Sequence, residues 1–429
     1  MMRRIFSPSP ILLAFISALL YIAASEPAVA LTLALDLDTQ LDTNSLRKPG
    51  NDISRTTEGI LMDSLVAIRD SRMDAALREM ETLVEAHPEF RLAQLIYGDL
   101  LLSRGHLITD MGNHPHAPPD KVMALKEEAR QRLEHHLHFF RPAALPEYLV
   151  RLPKRLARVV IVDISRSRLY LYENHAQGIH LRGDYYASVG KNGFPKRLEG
   201  DKKTPIGVYA TTGSIPRATL PDRYGAGAFP LNYPNAWDKR FGRTGDGIWI
   251  HGVPKDTYSR TPRASDGCVA LANTDLLSLK GVLATPNTPV ILADRVSWID
   301  YKEMVVRRDR FKAEFDRWRR GWESLDHASY AKYYSLDFRN EVEDRASWLR
   351  RKRDINGKKR YIRVGISNLS IFGYPGERNM LVVTFDQDYR SDNFDNRSRK
   401  RQYWRLEKNG WEENDTWRIL YENTLTPIQ

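Results

Sequence analysis

The spacing of the apolar residues changes twice along this chain, and each change marks a different kind of structure. Up to about residue 140 the apolar side chains recur every three or four residues, as in amphipathic helices. From Arg158 they occur in short strand-like runs, and after residue 297 a helical pattern returns before further strand-like runs. The sequence therefore predicts a multidomain protein with an N-terminal α-helical hairpin module, a β-rich centre and a C-terminal α+β domain.

The first 30 residues have the three parts of a secretory signal peptide. Arg3 and Arg4 give a basic start, residues 11–24 are apolar, and Ala28-Val29-Ala30 fits a signal peptidase site. The apolar run is shorter than the roughly 20 residues that a membrane-spanning helix needs. We expect a cleaved signal peptide over residues 1–30, export to the periplasm or cell envelope, and no integral membrane segment afterwards. A retained N-terminal anchor is the alternative.

Two segments lie between the signal and the β-rich centre. Residues 31–55 are polar and rich in turn formers, which is typical of a linker. Residues 56–150 have helical spacing with an interruption at His87-Pro88. This module resembles part of a tetratricopeptide array, and a plain helical hairpin is an equally good interpretation. The residues that carry the resemblance are Ala76, Leu83, Pro88 and Tyr97-Gly98.

Five of the eleven histidines lie within residues 114–138, around a helix that Asp120 is expected to cap. A metal site is one interpretation, because imidazole is a common metal ligand. No cysteine or carboxylate at ligand spacing completes the set, so we expect solvated histidines and neither a metal nor another cofactor. The five are His114, His116, His135, His136 and His138.

The formal net charge of +11 indicates a partner that carries negative charge. Nucleic acid is the usual partner of such a chain, but an exported protein rarely meets it, so we expect no nucleic-acid partner. Membrane headgroups or an anionic cell-wall polymer fit the predicted location better.

Residues 155–295 form the β-rich centre. A loop over residues 215–247 is rich in Gly, Pro and aromatic residues, and such a loop within a compact domain is usually functional. Asn273 is placed to cap the helix predicted over residues 274–283. Strands are predicted over residues 159–162, 169–172, 184–189, 207–211, 248–250 and 288–293.

The candidate chemistry lies in this β-rich centre. Cys268 is the only cysteine of the chain, and His251 precedes it by one loop. A thiol attacks as a thiolate, and an ordinary cysteine with a pKa of about 8.5 is only slightly ionised at neutral pH, so it needs a base. His251 at a strand end can serve as that base if the loop brings Cys268 within hydrogen-bond reach.

The glycine before the cysteine adds a second element of an acyl-transfer centre. Gly267 permits a tight turn in which the backbone N–H groups of Gly267 and Cys268 face a substrate carbonyl as an oxyanion hole. Taken singly, a buried structural histidine and a small buried thiol are the plainer interpretations. Together, His251 and Cys268 favour a nucleophile and its base.

The same residues resemble the active-site signature of the L,D-transpeptidase (YkuD-type) catalytic domain family. His251-Gly252, a loop, and Ser265-x-Gly267-Cys268 carry the likeness, together with Val160-Ile161-Val162-Asp163 and Lys203-Thr204-Pro205-x-Gly207. The resemblance covers about residues 158–294. It implies that Cys268 is the nucleophile, that His251 is the general base and acid, and that the carbonyl of Gly252 orients His251.

Two positions depart from the usual motif of the family. Asp266 stands where the family has a histidine, and Ala270 stands where it has an asparagine. A carboxylate beside the thiol opposes thiolate formation unless it is paired. Asp266 either steers a cationic amine of the acceptor or caps the local turn, and the sequence leaves both interpretations open.

Three aromatic residues are candidate walls of the substrate groove. Tyr233 and Trp237 lie in the long loop, and Trp249 shares a strand face with His251. Core packing is the plainer interpretation for Trp249.

The C-terminal part, residues 297–425, resembles the cone-shaped fold of the nuclear transport factor family, which serves as an accessory domain. Its basic run, Arg350-Arg351-Lys352-Arg353, is either a solvated face or a surface that attracts the wall polymer. The likeness is carried by Tyr330-x-x-Tyr333-Tyr334-Ser335-x-Asp337-Phe338, Phe385-x-Gln387-x-Tyr389 and Trp417-x-Ile419.

The resemblance implies a peptidoglycan L,D-transpeptidase. Such an enzyme transfers the acyl group of the L-centred third residue of a stem peptide through a cysteine thioester to an amine, and wall-linked proteins are a further class of partner. One alternative is a hydrolase on the same scaffold, an L,D-carboxypeptidase or an amidase. The other is a non-catalytic scaffold that binds the cell wall.

Overall fold

A computed structural model of the chain describes residues 56–106, 108, 110–139, 144–377, 379–408 and 415–428. The predicted signal peptide and linker, residues 1–30 and 31–55, lie outside the described residues. The chain divides into two compact units, Met1–Phe139 and Phe140–Gln429, which are described separately.

The first unit is helical, as predicted. Helix α1 packs against α2 and α2 against α3, and their facing sides bury Leu61, Leu65, Met80 and Ile96. The boundary of α4 differs from the prediction. Asp120 does not cap it; Pro118 is the N-cap and Pro119 opens the helix, because proline needs no N–H partner there. The helices are α1 Thr57–Arg69, α2 Met73–Ala86, α3 Arg91–Leu102 and α4 Pro119–His138.

The five histidines of residues 114–138 lie at both ends of α4. His135, His136 and His138 occupy its last turn, where a positive charge is favoured by the helix dipole. Across the described ranges, no group of three or more His, Cys, Asp and Glu side chains is placed to hold a metal ion. Nor does any helix within those ranges combine the length and apolar character of a membrane span.

The second unit begins with the β-rich domain, whose main sheet has the strand order β4-β3-β2-β11-β6. The central pair β2 and β11 runs parallel, and both strands are almost wholly apolar because they are buried on both faces. Helix α6, Asn273–Leu283, contributes Leu276, Leu279 and Leu283 to the same core. The strands are β2 Arg158–Asp163, β3 Arg168–His175, β4 Gly178–Tyr186, β6 Gly207–Ala210 and β11 Pro289–Ala293.

A smaller sheet with the order β10-β8-β7 lies beside the main sheet, and β5 pairs with β9. The long loop of residues 215–247 is less irregular than its sequence indicates, because it contains β7 and the short helix α5, Ala236–Arg240. Asn235 and Asp238 close a capping box on α5. The strands are β5 Val189–Gly190, β7 Ala228–Pro230, β8 Trp249–His251, β9 Arg263–Ser265 and β10 Val269–Ala270.

The C-terminal domain is an antiparallel sheet, β13-β14-β15-β16, packed against a long helix, α7, as the α+β prediction requires. Phe311 and Phe315 of α7 contact Trp404 of β15, with ring centroids 5.5 and 6.2 Å apart. The elements are α7 Tyr301–Glu323, α8 His327–Ala331, α9 Arg345–Asn356, β13 Ile362–Gly373, β14 Met380–Ser391, β15 Asp395–Glu407 and β16 Thr416–Pro427. A strand pair, β1 Ala144–Pro146 and β12 Trp298–Asp300, precedes α7.

The sequence did not predict helix α9, because its many charged residues obscure the helical spacing of its few apolar side chains. The basic run lies in this helix. Arg350 and Arg353 are exposed, in keeping with a solvated face. Lys352 differs, since its Nζ lies 4.7 Å from the ring centre of Trp348 and 5.2 Å from that of Trp322. Arg351 also lies on an aromatic ring, with its guanidinium carbon 4.7 Å from the ring centre of Trp348. Two cations of the run therefore pack on aromatic rings.

Candidate active site

His251 and the segment that follows Cys268 lie on neighbouring strands. Strands β8 and β10 pair in parallel, with Ile250 opposite Val269 and His251 opposite Ala270. The N–H of Leu271 donates to the carbonyl of His251 at 2.9 Å, which extends this pairing by one bond. Cys268 immediately precedes β10, so the loop of residues 252–262 returns the chain to the strand that carries the histidine.

The turn before Cys268 is built on glycine. Gly267 has φ of +122°, and a Cβ at this position would lie 2.7 Å from the carbonyl oxygen of Lys203. Ser265 Oγ accepts the Gly267 N–H at 3.1 Å and donates to the carbonyl of Cys268 at 2.6 Å. The hydrogen bonds of Ser265 therefore fix the turn, and the backbone of Lys203 packs directly against it.

Only one of the two expected oxyanion donors is available to a substrate in this turn. The Gly267 N–H is held by Ser265, which differs from the expectation that both N–H groups face a substrate. The N–H of Cys268 has no hydrogen-bond acceptor among the described residues. Gly267 thus shapes the turn, and the N–H of Cys268 is the one available to a substrate carbonyl.

His251 is buried, and its ring is held from one side. Its Nδ1 lies 2.6 Å from the carbonyl oxygen of Gly252, so Nδ1 carries the proton in the neutral ring and Nε2 keeps the free lone pair. Burial lowers the pKa of His251 to about 4; the Gly252 carbonyl opposes this, and the charges of Arg260 and Arg223 add to it. At neutral pH His251 is therefore an uncharged base.

The thiol of Cys268 is held in a protonated resting state. Its Sγ accepts the Trp249 N–H at 3.4 Å and donates to the carbonyl of Gly247 at 3.3 Å. Burial raises the pKa of Cys268, and the Asp266 charge raises it further, against the Trp249 N–H and the cations of Arg260 and Lys196. No hydrogen bond between Cys268 and His251 is present in the part of the chain that the structure describes.

Asp266 is exposed and forms an ion pair with Lys191, whose Nζ lies 2.8 Å from Oδ1. Lys191 lowers the pKa of Asp266, with smaller help from Lys202 and Arg260. The carboxylate that replaces the usual histidine is thus charged and paired, which reduces its opposition to thiolate formation.

The predicted aromatic walls are divided between packing and the site. Tyr233 and Trp237 are both buried. The hydroxyl of Tyr233 donates to Thr244 at 3.1 Å, and Trp237 stacks on Tyr403 of the C-terminal domain at 5.3 Å. Both rings are therefore packed inside the protein and do not form the open groove wall that the sequence predicted. Trp249 is partly exposed, and its ring lies 4.9 Å from that of Tyr224.

Tyr224 and Asn273 are site residues that the sequence interpretation missed. The Tyr224 ring meets the His251 ring edge-on at 5.1 Å. Asn273 does not cap α6, whose N-cap is Ala272. Its Oδ1 accepts the N–H groups of Ala226 and Val253 at 2.8 and 3.2 Å, and its Nδ2 donates to the Val253 carbonyl at 2.9 Å. Asn273 thereby ties the Tyr224 loop to the segment after His251.

Thr204 supports the nucleophile turn from the opposite side. It is fully buried, donates to the carbonyl of Gly267 at 3.0 Å and accepts the Gly190 N–H at 2.9 Å. We expect Thr204→Val, which keeps the shape, to lower the free energy of unfolding by about 2–4 kcal/mol, since two buried polar groups lose their partner. Denaturant unfolding measures this. Thr212→Val, at an exposed threonine, is the control and is expected to be nearly neutral; equal stability of the two variants would contradict the role of Thr204.

Comparison with known proteins confirms both resemblances seen in the sequence. Residues 157–292 match the L,D-transpeptidase catalytic domain family (YkuD), and residues 310–423 match the Cds6 C-terminal NTF2-like domain family. No match was found among curated proteins.

Two solved structures resemble most of the chain. Bd1075 from Bdellovibrio bacteriovorus is 29% identical with a TM-score of 0.58, and the match covers 67% of this chain and 99% of that chain. The helical cell shape determining protein Pgp2 from Campylobacter jejuni is 26% identical with a TM-score of 0.54, covering 62% and 91%. The pairing of the two domains therefore occurs in other proteins, one of them described as determining cell shape.

Proposed function

We propose that this protein is a peptidoglycan L,D-transpeptidase in which Cys268 carries the acyl group. The observation that carries the proposal is the placement of a buried, uncharged His251 on the strand beside Cys268, with Nε2 unprotonated and the Cys268 N–H free to donate to a substrate carbonyl. The match of residues 157–292 to the L,D-transpeptidase family supports the substrate class.

The first half of the reaction forms a thioester. The Cys268 Sγ–H bond turns from the Gly247 carbonyl toward His251 Nε2, which takes the proton as sulfur attacks the carbonyl carbon of the L-centred third residue. The developing oxyanion accepts a hydrogen bond from the Cys268 N–H. When the C–N bond breaks, His251 returns the proton to the leaving amine, and the terminal D-residue departs.

The second half resolves the thioester. His251 removes a proton from the acceptor amine as it attacks the thioester carbonyl, and the sulfur leaves as thiolate and is reprotonated. Asp266 stands beside the nucleophile as an exposed carboxylate whose charge Lys191 balances. A turn cap would accept a backbone N–H, and Asp266 accepts none among the described residues. Its pairing with a cation therefore favours the interpretation that it steers a cationic amine of the acceptor.

The substrate class and the similar proteins indicate where this protein acts and what its action affects. An enzyme with this substrate acts in the cell envelope, which agrees with the secretory signal predicted over residues 1–30 and with the positive charge of the chain. The similarity to a helical cell shape determining protein leads us to propose that its action on the wall affects cell shape.

Product analysis tests the proposal and separates transfer from hydrolysis. We expect purified protein incubated with disaccharide tetrapeptides to release the terminal D-residue and to form cross-linked dimers joined through the third residue, detected by chromatography and mass spectrometry. Tripeptide monomers without dimers would assign the hydrolase alternative. Unchanged tetrapeptides would leave the non-catalytic scaffold as the function.

A further inference from the structure

Arg260 belongs to the loop between His251 and Cys268, and the sequence interpretation gave it no role. Its Nη2 donates to the carbonyl of Arg223 at 3.1 Å. Arg223 adjoins Tyr224, whose ring contacts His251. Arg260 is thus tied to the side of the site that carries the histidine.

The following residues tie the same loop to the side that carries the cysteine. Thr261 accepts the Ser188 hydroxyl through its carbonyl at 2.6 Å, and Ser188 exchanges two backbone hydrogen bonds with Ala270, at 2.8 and 2.9 Å. Ala270 is two residues beyond Cys268. Arg260 is therefore held between the two halves of the site by a short, fixed segment.

The charge of Arg260 reaches both halves. It acts on the His251 ring and on the Cys268 thiol, and Asp266 and Tyr224 act on it in turn. Burial lowers the pKa of the Arg260 guanidinium, which is only partly accessible to solvent. The side chain is a half-buried cation close to the reacting groups.

This cation has no carboxylate partner within the described ranges. The nearby acid, Asp266, is paired with Lys191 at 2.8 Å. The guanidinium donates one N–H to the Arg223 carbonyl, and its other N–H groups have no acceptor among the described residues. A partly desolvated guanidinium with spare donors is a receptor for a carboxylate, which it binds through two parallel hydrogen bonds.

We infer that Arg260 binds the free α-carboxylate of the terminal D-residue of the stem peptide. This inference rests on the proposed function. The α-carboxylate is two bonds from the nitrogen of the peptide bond that breaks, so it must lie near Cys268 during attack. Arg260 then fixes the register of the donor and restricts cleavage to the last peptide bond. An internal bond whose leaving residue continues the chain through its α-carboxyl presents no free carboxylate at that place.

The test compares two donors that differ only in this group: a tetrapeptide ending in diaminopimelate and D-alanine, and the same peptide with a C-terminal amide. Release of D-alanine or its amide gives kcat/KM for each. We expect the wild-type protein to prefer the acid by roughly 10- to 100-fold, the effect of a charge-assisted pair. Arg260→Gln should bring the ratio to about one, chiefly by slowing the acid, and Arg260→Lys should keep part of the preference.

The ratio separates a carboxylate contact from other effects. A change in thiol reactivity or a loosened loop lowers both rates equally, so an Arg260→Gln variant that retains the wild-type ratio overturns the inference. Arg263→Gln, at an exposed arginine three residues away, is the matched control and should keep the preference. Wild-type protein that processes acid and amide equally well would overturn the inference and leave the proposed function standing. Failure to process either donor would overturn the proposed function itself.

Discussion

Cys268→Ser is expected to reduce the release of the terminal D-residue by at least about 10³-fold, while the protein remains folded. Removal of a covalent nucleophile costs this much or more, because only positioning and oxyanion stabilisation remain. The serine hydroxyl fits where the thiol stands and can donate to the Gly247 carbonyl as the thiol does. The loss should therefore be chemical and not structural.

The measurement is kcat/KM on tetrapeptides, with circular dichroism and thermal unfolding as controls of folding. Cys268→Ala, which removes the polar atom as well, should be equally inactive. Residual activity above about one tenth of wild type in either variant would show that Cys268 is not the nucleophile.

His251→Gln is expected to reduce kcat/KM by about 10²- to 10⁴-fold, the range typical for loss of a general base. The glutamine can still approach the Gly252 carbonyl, so the strand and the loop should remain in place. His175→Gln, at a histidine that pairs with Glu173 on the exposed part of β3, is the matched control and should retain full activity. Similar activities of the two variants would contradict the role of His251.

The pH profile gives an independent check on the same residue. His251 acts as a base only when neutral, and its pKa of about 4 means that this form is already complete near pH 5.5. The Cys268 pKa lies above its ordinary value, so the resting thiol stays protonated at neutral pH. Wild-type kcat/KM should rise through about pH 4 and then stay level to about pH 8.

In His251→Gln the residual rate should instead increase about tenfold per pH unit through this range, because attack then depends on the small thiolate fraction. A wild-type profile that rises only near pH 6.5 would show that the histidine is not held neutral by burial.

The sequence predicted the architecture well where apolar spacing is regular. Two apolar runs were predicted correctly as strands: residues 159–162 lie in β2 and residues 169–172 lie in β3. Short apolar runs of this kind are buried most readily as strands of a sheet. The placement of His251 on the strand beside Cys268 was also predictable, because the chain has one cysteine and a histidine at a predicted strand end. The expected hydrogen bond between the two side chains is not found among the described residues.

Other features depend on contacts that are distant in sequence. Asn273 had the local signature of a helix cap, yet it serves residues 226 and 253, which no local pattern reveals. Tyr224 precedes β7 and contacts the His251 ring, and Arg260 lies in the loop after β8. No local pattern in the sequence indicates that these two side chains lie beside the histidine. The sequence predicted Trp237 in a groove because Tyr403, on which its ring stacks, lies more than 160 residues later in the chain.

Intact mass spectrometry of the protein after exposure to a carbapenem tests the central claim most directly. The strained lactam carbonyl should acylate Cys268 with help from His251, giving a single adduct with the mass of the carbapenem at neutral pH that peptide mapping locates to Cys268. The adduct should be absent in Cys268→Ser and strongly slowed in His251→Gln. A wild-type protein that remains unmodified under these conditions, or that is modified at another residue, would contradict a thioester mechanism at Cys268.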